Sequence, residues 1–148
     1  MIKMITAVDE AAGIGKDNKI PWSCPEDLQH FKEKTLGNIV VMGYKTFESL
    51  DFKLLSSRHN VVMTSKYLIS DKANLYYRDT IRSILKVSDE YFKDVWIIGG
   101  ESIYKLFLPH TQELHITRIK GNYDCDKFFP FDELEKYKSK IKVFEYEF

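Results

Sequence analysis

The sequence predicts an α/β fold, with a mostly parallel central sheet and helices on both of its faces. Two observations carry this. The runs Ile2–Val8, Ile39–Met42, Val61–Thr64 and Val95–Ile98 are apolar with little alternation, as strands buried on both faces are. Between them lie stretches whose apolar residues recur at helical spacing, the pattern of strand–helix–strand crossovers.

Taken in order, Ile2–Val8 is the first strand. Asp9 to Lys19 is a polar loop punctuated by Gly13-Ile14-Gly15. Ser23 with Glu26 three residues later is a capping-box pattern, so a helix is expected to start at Ser23 and run from about Cys24 to Thr35. Pro25 is tolerated there because first-turn N–H groups have no helical partner. Helix geometry stacks Asp27, Phe31 and Thr35 on one stripe, with Leu28 beside them. Ile39–Met42 is a strand ended by Gly43, and Thr46–Leu50 a short helix. Val61–Thr64 and Leu75–Tyr77 are further strands. Asp79 is the expected cap of a helix carrying Ile81, Ile84, Leu85 and Val87. Val95–Ile98 is a strand closed by Gly99-Gly100, and Ile103, Tyr104, Phe107 and Leu108 continue at helical spacing to Pro109. Leu114–Ile119 alternates as a half-covered strand does. Ile141–Phe148 alternates too, and is expected to be a final antiparallel strand.

At 148 residues and 44% hydrophobic content, the chain is expected to form one domain, residues 1–148, with a proper core. Lys plus Arg and Asp plus Glu are 22 each, so no bulk charge favours nucleic acid or an acidic membrane. No apolar run approaches the ~18 residues of a membrane span. Cys24 and Cys125 lack metal-site spacing and read as free thiols of a reducing cytoplasm, a disulfide between them being the alternative. His30, His59, His110 and His115 share no ligand spacing, so no metal is expected.

Asp27 falls on the stripe that should face the core. A buried carboxylate needs a donor or a cation, which makes it a candidate functional acid; an acid favoured by the helix dipole and turned to water is the alternative. In largely parallel sheets, ligands bind at the carboxyl ends of strands. Ala7, Gly43–Thr46, Thr64-Ser65 and Gly99-Gly100 all end or follow apparent strands, which suggests a ligand carrying phosphates. Gly43-Tyr44-Lys45-Thr46 and Gly99-Gly100-Glu101-Ser102 each join a strand to a helix, either as an anion site or as a plain tight turn. The full G-x-G-x-x-G fingerprint, the G-x-S-x-G nucleophile motif and the Walker motif are absent from the sequence.

In order and spacing, these pieces resemble dihydrofolate reductases. The matching residues are Gly13-Ile14-Gly15 to Asn18, Pro21-Trp22, Pro25-Glu26-Asp27-Leu28, Phe31 and Thr35. They continue through Met42-Gly43, Thr46, Glu48-Ser49, Arg58-His59-Asn60 and Thr64-Ser65. Ile97-Ile98-Gly99-Gly100, Ile103-Tyr104, Leu108-Pro109, Thr117, Asp126 and Phe129-Pro130 complete the set. The resemblance implies reduction of 7,8-dihydrofolate to tetrahydrofolate by hydride transfer from NADPH. Asp27 would hold the pterin through paired N–H bonds, with Thr117 orienting it and Trp22 and Ile20 completing the catalytic group. Ile5, Ala7, Leu28, Phe31, Leu50, Leu54 and Ile98 would surround the substrate rings, and Arg58 would clamp the tail carboxylate. Antifolate-like small molecules would take the same place. Ala7, Ile14 and Gly15 would meet the nicotinamide side of the cofactor, with Ile98, Gly99 and Tyr104 opposite. Gly43, Lys45, Thr46 and Gly100, Glu101, Ser102, Ile103 would meet its pyrophosphate. The stretch from about Ala11 to Asn18, leading into Ile20, would act as a lid that excludes water. A cytoplasmic monomer is expected.

The sequence departs from the family pattern in places. Tyr44 stands where a basic residue often pairs with the cofactor's 2′-phosphate; Thr64, Ser65, Lys66 and Arg78 are the substitutes at hand, and NADH stays open beside NADPH. Asp51–Ser57 replaces a stretch usually rich in Gly and Pro. Glu101 replaces a frequent small residue and would disfavour a pyrophosphate unless its side chain turns away. The segment after Pro130 is short, so the antiparallel C-terminal edge is expected to be curtailed. The related reductases of riboflavin synthesis lack the pairing of Pro21-Trp22 with Asp27, which argues against that substrate.

Overall fold

The computed structural model describes residues 1–148. The chain forms β1 (Ile2–Val8), β2 (Gly13–Gly15), α1 (Pro25–Thr35), β3 (Ile39–Gly43), α2 (Tyr44–Ser49), β4 (His59–Met63) and β5 (Leu75–Arg78). It continues as α3 (Ile81–Tyr91), β6 (Val95–Gly99), α4 (Glu101–Phe107), β7 (Glu113–Arg118), β8 (Lys127–Phe128), α5 (Phe131–Tyr137) and β9 (Lys142–Tyr146). Seven strands form one sheet in the order β5-β4-β3-β6-β1-β7-β9. Every neighbouring pair in it is parallel.

The mostly parallel sheet with flanking helices is therefore as expected, but the antiparallel C-terminal edge is not. β9 runs parallel to β7, with Glu113 opposite Lys142 and Thr117 opposite Tyr146. The reason is α5, which sequence reading missed. A helical crossover carries the chain back before the next strand begins, and strands joined that way are parallel. Its apolar signal is only Phe131, Leu134 and Tyr137, too short a repeat to stand out. Apart from one isolated Lys16–Lys19 bridge, antiparallel pairing is confined to the small β2–β8 sheet, also unforeseen. β7 was expected to be half-covered; Leu114 to Thr117 are all buried, because β7 lies between β1 and β9 rather than at an edge.

The two faces of the sheet carry separate cores. Alternation along β3 sends Ile39 and Val41 into one and Val40 and Met42 into the other. The larger core takes Ile84 and Val87 of α3, Ile103, Tyr104 and Phe107 of α4, and Leu134 of α5. The smaller one takes Phe47 of α2, with Phe31 of α1 packed against it.

Helix starts differ from expectation in three places. α1 is capped by Cys24, with no side-chain cap bond, so the Ser23–Glu26 box does not form. Pro25, with φ already helical, takes the first helical position and makes the residue before it the cap. α3 is capped by Thr80, not Asp79: Thr80 Oγ1 accepts from the Ser83 N–H at 3.0 Å, and Ser83 Oγ accepts from the Thr80 N–H at 3.3 Å. α2 begins at Tyr44 directly after β3, with Gly43 as its cap.

Candidate active site

All seven strands of the main sheet run the same way, so Ala7, Gly43, Gly99 and Thr117 reach its carboxyl end together. α1 lies against the face that carries Ile5 and Met42. Along its predicted stripe Asp27 and Phe31 are half-buried and Thr35 is buried. Asp27 lies close enough to act electrostatically on His30 and on the Tyr104 hydroxyl. Leu28, predicted beside the stripe, is 64% exposed, and Ile20 is 61% exposed.

At the far end of the stripe sits Arg58, only 7% exposed. Its Nη1 donates to Thr35 Oγ1 at 3.0 Å and its Nε to the Ser56 carbonyl at 2.9 Å. The guanidinium carbon lies 6.0 Å from the Phe31 ring. Arg58 belongs to none of the chain's ion pairs. Burial lowers its pKa from the ordinary arginine value. A buried cation with no protein counter-charge is costly unless a ligand supplies one.

Thr117 is 1% exposed and pairs in register with Ala7. Its hydroxyl has no hydrogen-bond partner, so the expected bond to Asp27 is not made. The half-buried carboxylate retains access to water, and the threonine is left with a buried polar atom that a polar ligand would satisfy. Ile5 is buried, and Leu50, Leu54 and Ile98 are half-buried against the smaller core. Tyr104 Oη lies 2.8 Å from the Ile5 carbonyl and 3.0 Å from the Ile98 carbonyl, so its hydroxyl bridges β1 and β6. Burial first, and the charge of Asp27 in addition, push the Tyr104 pKa well above the usual phenol value.

The two glycine turns lie side by side. The Gly99–Gly100 peptide is cis. A Cβ on Gly43 would come within 3.0 Å of Ile103 Cγ1, and one on Gly100 within 3.5 Å of Thr46 Oγ1. Neither turn carries a side-chain cap, which leaves backbone donors open at Tyr44–Thr46 and Glu101–Ile103. Further out, Lys66 Nζ stands 4.0 Å from the Tyr44 ring centroid. Arg78 instead donates to its neighbour's carbonyl at Tyr77 and lies over Tyr76. Glu101 turns away from the turn: Oε1 accepts the Phe128 N–H at 2.7 Å.

The loop after β1 is anchored by Asp9, a residue that sequence reading missed. Its carboxylate is 2% exposed and accepts N–H groups of Ala11, Gly13 and Tyr123 at 2.8–2.9 Å. Burial alone would raise its pKa; the Tyr123, Gly13 and Ala11 amides and the Cys125 thiol more than offset this and hold it below the ordinary value. Only a short Asp near Gly hinted at such a turn. Trp22 is half-buried and meets Tyr123 edge-on, with ring centroids 5.5 Å apart. An open cavity of about 750 Å³ lies beside this loop beyond β7 and β9. It is lined by Glu10, Arg118, Ile119, Lys120, Glu145 and Glu147, and includes no predicted site residue.

Comparison with known proteins decides the family. The family model for dihydrofolate reductase matches residues 1–146. The chain belongs to the dihydrofolate reductase family. It is 34% identical to the dihydrofolate reductase of Buchnera aphidicola (subsp. Acyrthosiphon pisum), over 99% of this chain and 96% of that one. It is 36% identical to that of Bacillus subtilis, over 90% of this chain and 78% of that one. Among solved structures, Enterococcus faecalis dihydrofolate reductase, complexed with NADP(H) and RAB-propyl, superposes with a TM-score of 0.82. The two are 35% identical, over 88% of this chain and 77% of the other. As a dihydrofolate reductase, this protein is an oxidoreductase that reduces 7,8-dihydrofolate to 5,6,7,8-tetrahydrofolate at the expense of NADPH.

Proposed function

We propose that dihydrofolate lies along α1, its pterin at Asp27 and its tail carboxylate at Arg58. The observation that carries this is the polarity of the stripe. An acid stands at one end, the uncompensated Arg58 is tied to Thr35 at the other, and Phe31 lies between. At ~1.5 Å rise per residue the two ends are about 12 Å apart. A ligand with a donor-rich ring, an aromatic middle and an anionic tail matches that spacing and order.

In this reading Asp27 accepts two parallel N–H bonds from the pterin and holds the ring for protonation at N5 through water. The orphaned Thr117 hydroxyl completes the polar wall. Ile5, Ala7, Leu28, Leu50, Leu54 and Ile98 enclose the rings, with Trp22 and Ile20 closing the site from the lid. The glycine turns fit a dinucleotide: Gly43, Tyr44, Lys45, Thr46 and Gly100 to Ile103 would hold its pyrophosphate through backbone donors. Ala7, Ile14, Gly15, Gly99 and Tyr104 would flank the nicotinamide. Thr64, Ser65 and Lys66, with Lys66 held over Tyr44, would meet the adenosine phosphate, and Arg78 would join them by giving up its bond to Tyr77. NADPH, when bound, supplies the hydride. The residues would bring its nicotinamide beside the pterin and exclude water.

We also propose that residues 1–148 work as one domain, as a cytoplasmic monomer. No helix is long and apolar enough to cross a membrane, and sedimentation mass checks the oligomeric state.

Absorbance at the nicotinamide band tests the assignment, with dihydrofolate and either NADPH or NADH. Asp27→Asn is expected to lower turnover at pH 7 by about 10² or more. The loss should ease toward acid, as the substrate takes its proton from solution. A variant with full turnover at neutral pH would remove Asp27 from the proton path.

A further inference from the structure

Glu101 opens α4, next to the Gly99–Gly100 turn, yet its carboxylate reaches away to a different element. The 2.7 Å bond from the Phe128 N–H is charge-assisted and short. Phe128 belongs to β8, the strand that pairs with β2 inside the lid, with Gly13 opposite Phe128 and Gly15 opposite Lys127. Neighbouring bonds join the same two segments: Phe129 N–H to the Ala12 carbonyl, Asp126 N–H to the Gly15 carbonyl, and, in the other direction, Asp17 N–H to Asp126 Oδ2. The root of the lid is fixed separately by Asp9. Its outer part, Lys16 to Ile20, is exposed. A continuous chain of bonds therefore runs from the start of α4, through Glu101 and β8, to the lid.

We infer that Glu101 is a positioning residue that locks β8, and through it the lid, to the Gly99–Gly100 turn. The inference rests on the reading of residues 11–20 as the lid over the hydride-transfer site. It assigns the acid a role opposite to the one its charge suggests. Near a pyrophosphate a free carboxylate only repels. Spent on the Phe128 amide, it sets the height of the lid over the place where the two rings meet.

Glu101→Ala and Glu101→Gln separate the two roles, because glutamine keeps an acceptor oxygen and loses the charge. Wild-type turnover is measured first; its absence strikes the site reading itself. Given turnover, Glu101→Ala is expected to speed hydrogen exchange at the Phe128 amide at least tenfold. It should also slow single-turnover hydride transfer several-fold, with dihydrofolate affinity unchanged. Glu101→Gln should restore most of both. If both variants instead tighten NADPH equally and leave Phe128 exchange unchanged, the residue acts only as a charge and the inference fails. It fails too if exchange rises while hydride transfer stays at the wild-type rate, since the bond is then a staple without a positioning role.

Discussion

Arg58 carries a charge that the protein leaves without a carboxylate partner, and its environment fixes what it can bind. Thr35 and the Ser56 carbonyl orient the guanidinium, and Phe31 flanks it. A carboxylate docking on it would form a charge-assisted pair within a buried setting. Truncating one member of such a pair costs about 2–5 kcal/mol. Arg58→Ala should therefore raise the KM for dihydrofolate by about 30-fold or more, with a smaller change in kcat. Arg58→Lys, which keeps the charge but not the planar fork, should fall between. Steady-state kinetics with dihydrofolate as the varied substrate checks both. Asp27 and Thr35 were legible in the sequence because helical spacing alone puts them on one stripe. Burial of Arg58 was not, since it comes from Thr35, 23 positions away.

At the scale of elements, the loop after β1 and the helix ends carry separate predictions. An added Cβ at Gly13 would lie 2.4 Å from Cys125 Cβ and 2.5 Å from its Sγ. Gly13→Ala should destabilise the protein by about 1–3 kcal/mol, as overpacking does. Cys125→Ser in the same chain should not rescue it, whereas Cys125→Gly should, and thermal melts distinguish the two. At the other end of the molecule, Phe92 ends α3 with φ 52° and is 94% exposed. A left-handed phenylalanine costs about 1–2 kcal/mol. Phe92→Gly should raise the melting temperature, because it relieves that conformation and removes little packing. The helix at Ile81–Tyr91 was readable from its spacing, and its true cap was not, because Asp79 and Thr80 are both good cap residues. The start of α1 was misread for a different reason: a capping box competes with a first-turn proline, and the proline decides the register.

For the whole molecule, His115 ties the sheet's last strand to the pH of the solution. Its ring stacks on Phe144 at 4.5 Å, with Nδ1 at 2.9 Å from Tyr146 Oη and Nε2 at 3.0 Å from Glu113 Oε1. Burial outweighs the pull of Glu113 and lowers its pKa below the ordinary histidine value. The unfolded chain therefore takes up this proton first as pH falls. Stability from His115 is present above the unfolded value of about 6.5 and is lost as pH falls below it, until the folded pKa is passed. Burial also lowers the pKa of His30, which acts in the same direction. The melting temperature should fall from pH 7 to pH 5, and His115→Phe should flatten that slope without abolishing it; parallel curves for the two proteins would exclude the role of His115. By itself the sequence determined the α/β class, the order of the main strands and the acid-bearing face of α1. These follow from local periodicity and from turn residues, which act over a few neighbours. The tertiary structure alone decided that β9 runs parallel, that Glu101 turns to Phe128, and that Asp9 ties the loop after β1 to Tyr123. The last two bonds join residues 27 and 114 positions apart, and the direction of β9 depends on a crossover around the whole edge of the sheet. No window of sequence contains both partners, so only the packed chain fixes them.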